Sequence, residues 1–201
     1  MGPHAKARRA WARSRARGRP RGGLLWSRPV RTSVLPLLLL SLCASACGGA
    51  GHLSGGVYED AQARYHVGEP AGGFRPLDVG GRTDLAWADE SQGAVLEVDS
   101  RCEPALDIPL VALTNHLLVG FTEREDVEEQ ALVPLDGREA LRTHVRAKLD
   151  GVPREMMMLV LKKDGCVHDF VLVAPPGAAF EATRPALDRV VAGFRTEPRG
   201  R

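Results

Sequence analysis

The sequence lacks an apolar run long enough to cross a lipid bilayer. Its most apolar stretch, residues 34–42, has nine residues, whereas a membrane-spanning helix needs about 20. We therefore expect no lone transmembrane anchor. Acidic residues are also missing from one part of the chain, since none of the 25 lies in residues 1–46.

The common catalytic motifs are missing too. The chain has no Gly-x-Ser-x-Gly, no His-Glu-x-x-His and no phosphate-binding Gly-rich loop. We predict no catalytic residue, no metal site and no cofactor. Four histidines are scattered singly, at His66, His116, His144 and His168. His144 and His168 lie on neighbouring predicted strands and would meet only if the register allowed it. Asp169 would point to the strand face opposite His168, which argues against a direct dyad.

The first 46 residues are organised like a secretory signal. Ten basic residues precede the apolar run, and small residues follow it. The segment Ala44–Cys47 resembles a bacterial lipobox, in which the cysteine is lipidated and becomes the new N-terminus. We predict a signal peptide over 1–46, a lipidated Cys47 that anchors the protein to a membrane, and a flexible Gly-rich tether over 47–56. Ordinary signal cleavage, which would leave a soluble exported protein, is the alternative.

Removal of this segment changes the charge of the protein. The whole chain is +2, but 17 of the 27 basic residues and all 25 acids remain after residue 46, which gives about −8. An acidic domain is a poor candidate for binding nucleic acid or anionic lipid surfaces. We therefore predict no nucleic-acid partner.

Two of the four cysteines, Cys102 and Cys166, remain in the exported domain once Cys43 leaves with the signal and Cys47 takes lipid. An even pair in an oxidising compartment predicts a disulfide. On the chain-entropy treatment, a loop of this length stabilises a fold by about 4 kcal/mol. Two free buried thiols are the alternative. A redox-active pair is less favoured because the Cys-x-x-Cys spacing is missing.

Asp-Gly pairs recur every fourteen residues, at positions 136, 150 and 164. Such pairs favour tight hairpin turns, because glycine accepts a positive φ. We predict strands between them over Arg138–Leu149, Glu155–Lys163 and Cys166–Ala174. The result is an antiparallel meander. Further strands are predicted upstream, over Arg64–Val67, Thr83–Ala88 and Ala94–Ser100.

Two helices are predicted beside this meander. The first runs over about Ile108–Val119, with Asp107 as its cap and a stripe of leucines at 106, 110, 113 and 117. The second runs over about Arg184–Ala192, with Thr183 as its cap and Pro185 in its first turn. Helices beside an antiparallel sheet define an α+β fold. We place this single domain at 57–196, followed by a disordered tail over 197–201.

A family resemblance follows from the order of these elements. A Tyr-His-Val strand leads to Glu69-Pro70-x-Gly-Gly-Phe74, a helix follows, and Leu-Asp-Gly-Arg-Glu-Ala over 135–140 opens the meander. The final helix ends Val-Val-Ala-Gly-Phe over 190–194. From about Val57 to Thr196 the chain resembles the PsbP-like fold, which includes bacterial lipoproteins of unassigned role. The resemblance implies a central antiparallel sheet between helical layers and a non-catalytic binding module.

The strand over 138–149 carries a basic stripe of Arg142, His144, Arg146 and Lys148 on one face. The stripe could hold an anionic ligand or an acidic partner. The alternative is a solvated face whose charges nearby acids balance. The acidic run over 123–129 is interpreted as a solvated loop or strand edge. Met156, Met157 and Met158 would alternate between the two faces of a strand and fill the core.

Together these observations predict a lipid-anchored binding protein of the bacterial cell envelope that faces the periplasm and engages a protein partner. A carrier of a small apolar or anionic ligand, held between sheet and helix, is one alternative. A hydrolase with a site assembled from dispersed residues is another, and it would need a cleft holding titratable groups with perturbed pKa values.

Overall fold

The computed structural model describes residues 51–81, 83–125 and 129–197. The predicted signal peptide, Cys47 and residues 198–201 of the predicted tail lie outside them. Two α-helices and twelve strands are present in the described part, in the order β1 (His52–Ser54), β2 (Val57–Glu59), β3 (Arg64–His66), β4 (Arg75–Pro76), β5 (Leu85–Asp89), β6 (Ala94–Arg101), α1 (Leu110–Leu117), β7 (Phe121–Thr122), β8 (Glu129–Leu135), β9 (Arg138–Leu149), β10 (Val152–Lys163), β11 (Cys166–Ala174), α2 (Ala178–Ala192) and β12 (Arg195–Thr196).

The strands form two antiparallel sheets. The main sheet has the order β4-β5-β6-β11-β10-β9-β7, and β8 also pairs with β9. The small sheet has the order β1-β2-β3-β12, so its last strand comes from the far end of the chain. The predicted α+β class with a central antiparallel meander is therefore confirmed.

All three Asp-Gly hairpin turns are present. Asp136, Asp150 and Asp164 have φ values of 48°, 50° and 53°, and the glycines that follow them have 74°, 80° and 79°. Two successive residues with positive φ are what a type I′ turn requires. The predicted bounds of β9 and β11 are confirmed to the residue. β10 begins at Val152 instead of Glu155, because this tight turn pairs Val152 directly with Leu149.

The first helix was placed correctly, but its predicted cap was wrong. α1 begins after Pro109, and no side chain caps it. Asp107 instead forms an ion pair with Lys162. The predicted leucine stripe packs against the sheet as expected, with Leu113 fully buried.

The second helix begins six residues before its predicted start. Thr183 lies inside the helix, where its hydroxyl donates to the carbonyls of Ala179 and Phe180 at 2.9 Å. Pro185 is likewise inside. The additional turns bury Phe180 completely. We attribute the difference to this packing, which outweighs the local preference of Thr183 and Pro185 for a helix start.

The helices cover opposite faces of the main sheet. α2 packs with Met157 in the largest apolar cluster, whereas α1 lies on the side of Met156, Met158 and Val160. The expected alternation of the three methionines is therefore confirmed. Among the described residues, no helix is both long and apolar enough to span a membrane.

Both predicted boundaries of the domain differ from the structure. β1 pairs with β2 inside the predicted tether, so ordered pairing begins at His52 instead of Val57. Gly55 and Gly56 form the turn between these strands, with φ values of 57° and 78°. At the other end, the backbone N–H of Glu197 donates to the Arg64 carbonyl at 3.0 Å. Pairing therefore extends into both predicted flexible segments, through a local hairpin of β1 with β2 at one end and through the non-local contact of Glu197 with Arg64 at the other.

Candidate functional site

The basic stripe lies on one face of β9, as its alternation predicts. Each member meets a carboxylate: Arg142 pairs with Glu129, Lys148 with Glu123, and both His144 and Arg146 with Glu155. Next to Arg146 and Lys148 lies a surface cleft of about 430 Å³, which Glu123, Glu125 and Arg154 also line. The arrangement favours the balanced, structural interpretation of the stripe over an anion-binding face.

Glu155 is the centre of this arrangement and was not singled out from the sequence. It is 1% exposed, and its carboxylate accepts hydrogen bonds from His144 at 2.9 Å, Arg146 at 3.0 Å and the Gly177 N–H at 2.7 Å. Burial raises the pKa of Glu155, but these three donors outweigh it and hold the pKa below its usual value. The His144 ring also stacks on Phe180 of α2, with 5.0 Å between ring centroids. The stripe therefore fixes the start of α2 on the sheet.

The predicted disulfide is present between Cys102 and Cys166. It links the end of β6 to the start of β11, one residue beyond the Arg101–Val167 pair. The expected cross-link is confirmed, so the alternative of two free thiols does not hold.

The scattered histidines do not converge. β10 separates β9 from β11, so the prediction that His144 and His168 lie on neighbouring strands was wrong. His66 contacts Glu197 at 2.5 Å, and His116 is exposed on α1. In the part of the chain that the structure describes, no three His, Cys, Asp or Glu side chains are grouped to hold a metal ion.

A half-buried carboxylate, Asp84, joins the two sheets. It accepts hydroxyl hydrogen bonds from Tyr58 at 2.9 Å, from Tyr65 at 2.8 Å and from Ser100. Burial raises the pKa of Asp84, against the opposing effect of these hydroxyls. Ser100 lies opposite His168 in the β6–β11 register, but its hydroxyl donates to Asp84. These residues therefore lack the hydrogen bond between nucleophile and base that covalent catalysis uses.

Another buried carboxylate belongs to Asp169, which follows His168 on β11 and points to the opposite face of the sheet. It is directly opposite Asp99 in the register, and Arg101 forms ion pairs with both. Asp169 is 2% exposed, and its Oδ1 atom has no hydrogen-bond partner. Burial raises the pKa of Asp169 to about 6, although Arg101 opposes the shift. An aspartate within the apolar run Val167–Ala174 was the sequence signal for this site.

His168 borders a cavity of about 170 Å³ between the small sheet and the start of β11. The side chain is 2% exposed, and both ring nitrogens are buried. Burial lowers the pKa of His168 to about 4, against the carboxylates of Asp164 and Asp136. Thr196 and Asp164 also line the cavity, and the Thr196 hydroxyl donates to Asp164 at 2.7 Å. Sequence analysis did not find this site, because its residues come from three separate segments.

An exposed apolar tip is formed by Phe121, Leu149 and Val152, and exposed Val119 lies two residues before Phe121 in the chain. Phe121 pairs with Leu149 across β7 and β9, and Leu149 pairs with Val152 across the hairpin. Val119, Leu149 and Val152 are 74%, 38% and 48% exposed. The tip continues the apolar cluster of Leu118, Val145 and Met156 out to the surface.

No protein-family model and no curated protein sequence matches the chain. Solved structures similar to it include LpqN of Mycobacterium tuberculosis, which is described as involved in cell envelope biogenesis. The two sequences are 14% identical, the TM-score is 0.46, and the match covers 67% of this chain and 83% of LpqN. The cyanobacterial PsbP of Synechocystis sp. PCC 6803 is similar with 18% identity and a TM-score of 0.47, over 79% of this chain and 99% of that one. A Pseudomonas aeruginosa protein of unknown function, PA94, has 14% identity and a TM-score of 0.43, over 76% and 100%. PsbP, whose fold the sequence resembles, is one of these structures.

Proposed function

We propose that this protein is an exported, lipid-anchored binding module of the bacterial cell envelope and that it engages a protein partner through the apolar tip. The exposed tip is the observation that carries the binding role. Contiguous apolar side chains on a surface mark interaction sites more often than isolated ones do. The Cys102–Cys166 disulfide supports export, because structural disulfides persist in oxidising compartments.

The tip also indicates the chemistry of the partner. Arg154 lies two residues from Val152 on the same strand face, and Arg124 donates to the carbonyls of Leu118 and Phe121. Within the described residues, neither arginine has a carboxylate partner. We expect the partner to present apolar side chains flanked by carboxylates, since unpaired cations at a rim select an acidic surface.

The anchor is tested by cell fractionation of matched cysteine variants. Cys47→Ser is expected to move the protein from the membrane fraction to the soluble exported fraction. Cys43→Ser changes the cysteine four residues earlier in the same segment, and it is expected to leave the protein in the membrane fraction. The intact mass of the mature protein should correspond to a chain that begins at Cys47 and carries acyl chains. Equal fractionation of the two variants would contradict the anchor.

The binding role is tested with a photo-crosslinking amino acid placed at Val119 in intact cells. The matched position is Leu132, which is 56% exposed on β8 and lies outside the tip. We expect one discrete adduct from position 119, none from position 132, and loss of the adduct when Arg154→Glu is added. The same adducts from both positions would show that the tip is not the docking surface.

A further inference from the structure

The three Asp-Gly turns share one backbone geometry. Each joins two neighbouring strands of the main sheet, at positions 136, 150 and 164, and each places both of its residues at positive φ. In every case the residues on either side of the turn pair directly with each other. Chemical differences between the three turns therefore arise from the surroundings of the aspartate side chain.

Two of the three carboxylates are restrained. The Asp136 carboxylate accepts a hydrogen bond from the Lys163 ammonium at 2.6 Å and one from the Thr196 backbone N–H at 2.9 Å. The Thr196 hydroxyl lies 3.1 Å from the same carboxylate and donates to Asp164 at 2.7 Å. Contacts of this kind hold a carboxylate in one orientation, more firmly at Asp136 than at Asp164.

Asp150 differs from both. Its side chain is exposed, and its carboxylate forms no hydrogen bond or ion pair with any residue that the structure describes. The residue that follows is Gly151, whose backbone nitrogen has no side chain beside it to obstruct an approach. The Asp150 carboxyl group is therefore the one of the three that is free to turn toward the nitrogen of the next residue.

We propose that Asp150 is a site of spontaneous backbone modification, preferred because its carboxyl group is unrestrained, at which the bond to Gly151 becomes an isoaspartyl linkage. The Gly151 nitrogen attacks Cγ of Asp150, an N–Cγ bond forms, and the amide hydrogen leaves with the carboxyl OH as water. Water then adds to the main-chain carbonyl carbon of Asp150 in the resulting cyclic imide, and the bond from that carbon to the Gly151 nitrogen breaks. The chain afterwards runs through Cβ and Cγ of Asp150, and the water released in the first step is consumed in the second.

The modified bond lies inside the apolar tip. Leu149 and Val152 flank the turn and pair with each other. An isoaspartyl linkage adds one carbon atom to the main chain of a two-residue turn, whose geometry matches the twist of its strands. We therefore expect the pairing of Leu149 with Val152 to be lost. A consequence for docking rests on the proposed function of the tip, whereas the chemistry at Asp150 does not.

Peptide mapping of the intact mature protein after incubation at neutral pH measures isoaspartate at each turn, because aspartyl and isoaspartyl peptides of equal mass separate by chromatography. We expect Asp150 to convert at least tenfold faster than Asp136, with Asp164 between them. In urea the restraints are absent, so the three sites should convert at similar rates. Conversion at Asp150 that is no faster than at Asp136 in the folded protein, or the same ranking in urea, would overturn the proposal.

Two variants separate local restraint from general unfolding. Asp150→Glu keeps the charge but requires a larger imide ring, so isoaspartyl product at this turn should disappear. Thr196→Val removes the hydroxyl beside Asp136 and Asp164, so conversion at Asp164 should rise several-fold while Asp150 is unchanged. An equal rise at Asp150 and Asp164 would show that the rates follow unfolding of the whole domain, and the proposal would fail.

Discussion

Arg146 and Glu155 lie directly opposite each other on β9 and β10, with 3.0 Å between guanidinium and carboxylate. The pair is half-exposed on the arginine side and fully buried on the glutamate side. Because the Gly177 N–H meets the same carboxylate, the pair connects the hairpin to the first turn of α2. The basic stripe, which in the sequence could be an anion-binding face, thus stabilises the fold through this pair.

Glu155→Gln is expected to destabilise the protein by about 2–3 kcal/mol, because it removes a buried charge that accepts three hydrogen bonds. Urea unfolding at pH 7 measures the loss. Glu129→Gln is the matched control, since Glu129 pairs with Arg142 at the surface and exposed pairs contribute at most about 1 kcal/mol. Similar losses for the two variants would contradict the central role of Glu155.

Thr196→Val is expected to lower the free energy of unfolding by about 1–3 kcal/mol. Its hydroxyl is within hydrogen-bond distance of the carboxylates of Asp136 and Asp164, and loss of a hydrogen bond to a charged group has this magnitude. Thr122→Val, on the exposed face of β7, controls for strand propensity and should change stability by less than about 0.5 kcal/mol. If the melting temperatures of the two variants shift equally, β12 is not fixed through these carboxylates.

Asp169→Asn is expected to stabilise the protein more at pH 7.5 than at pH 4.5. Folding raises the pKa of this acid from 3.8 to about 6, so the unfolded chain loses its proton first as pH rises. The contribution of wild-type Asp169 to the stability of the fold is thus most favourable below pH 4. It falls as the pH rises through about 4 to 6 and stays low above that.

The asparagine variant does not titrate, so its stability relative to wild type should increase by about 2 kcal/mol between the two pH values. Unfolding curves at both values measure this difference. Asp188→Asn, exposed on α2, should show no such dependence. A constant difference for Asp169→Asn would show that Asp169 is ionised normally in the fold.

Replacing Cys102 and Cys166 together by serine is expected to cost about 4 kcal/mol, because the disulfide closes a loop across 64 residues. Chemical unfolding of the variant and of wild type with reductant should give the same reduced stability. Wild type without reductant should be more stable than both. A reductant effect that persists in the double variant would show that the cross-link is not its cause.

Local signals explain what could be predicted of the fold. An Asp-Gly turn fixes its own geometry and the register of the two strands beside it, which is why β9 and β11 were predicted to the residue. The same register pairs position 146 with position 155, so the Arg146–Glu155 contact was available from the turn at Asp150.

Non-local contacts explain what could not be predicted. A strand of two residues, such as β12, has no periodicity to detect and depends on its pairing with β3 from the other end of the chain. The helix start at Ala178 depends on the burial of Phe180 against the sheet. The same holds for the burial of His168, because a histidine in a strand sequence does not show how deeply it lies in the fold.

The position of β12 has a consequence for how the chain is made. His66 and Glu197, in contact in the finished protein, are 131 residues apart. At synthesis rates of ~5–20 residues per second, the first strands wait on the order of ten seconds for their last neighbour to leave the ribosome. The small sheet cannot close during that interval. The small sheet therefore gains its fourth strand only after almost all of the described residues have been synthesised.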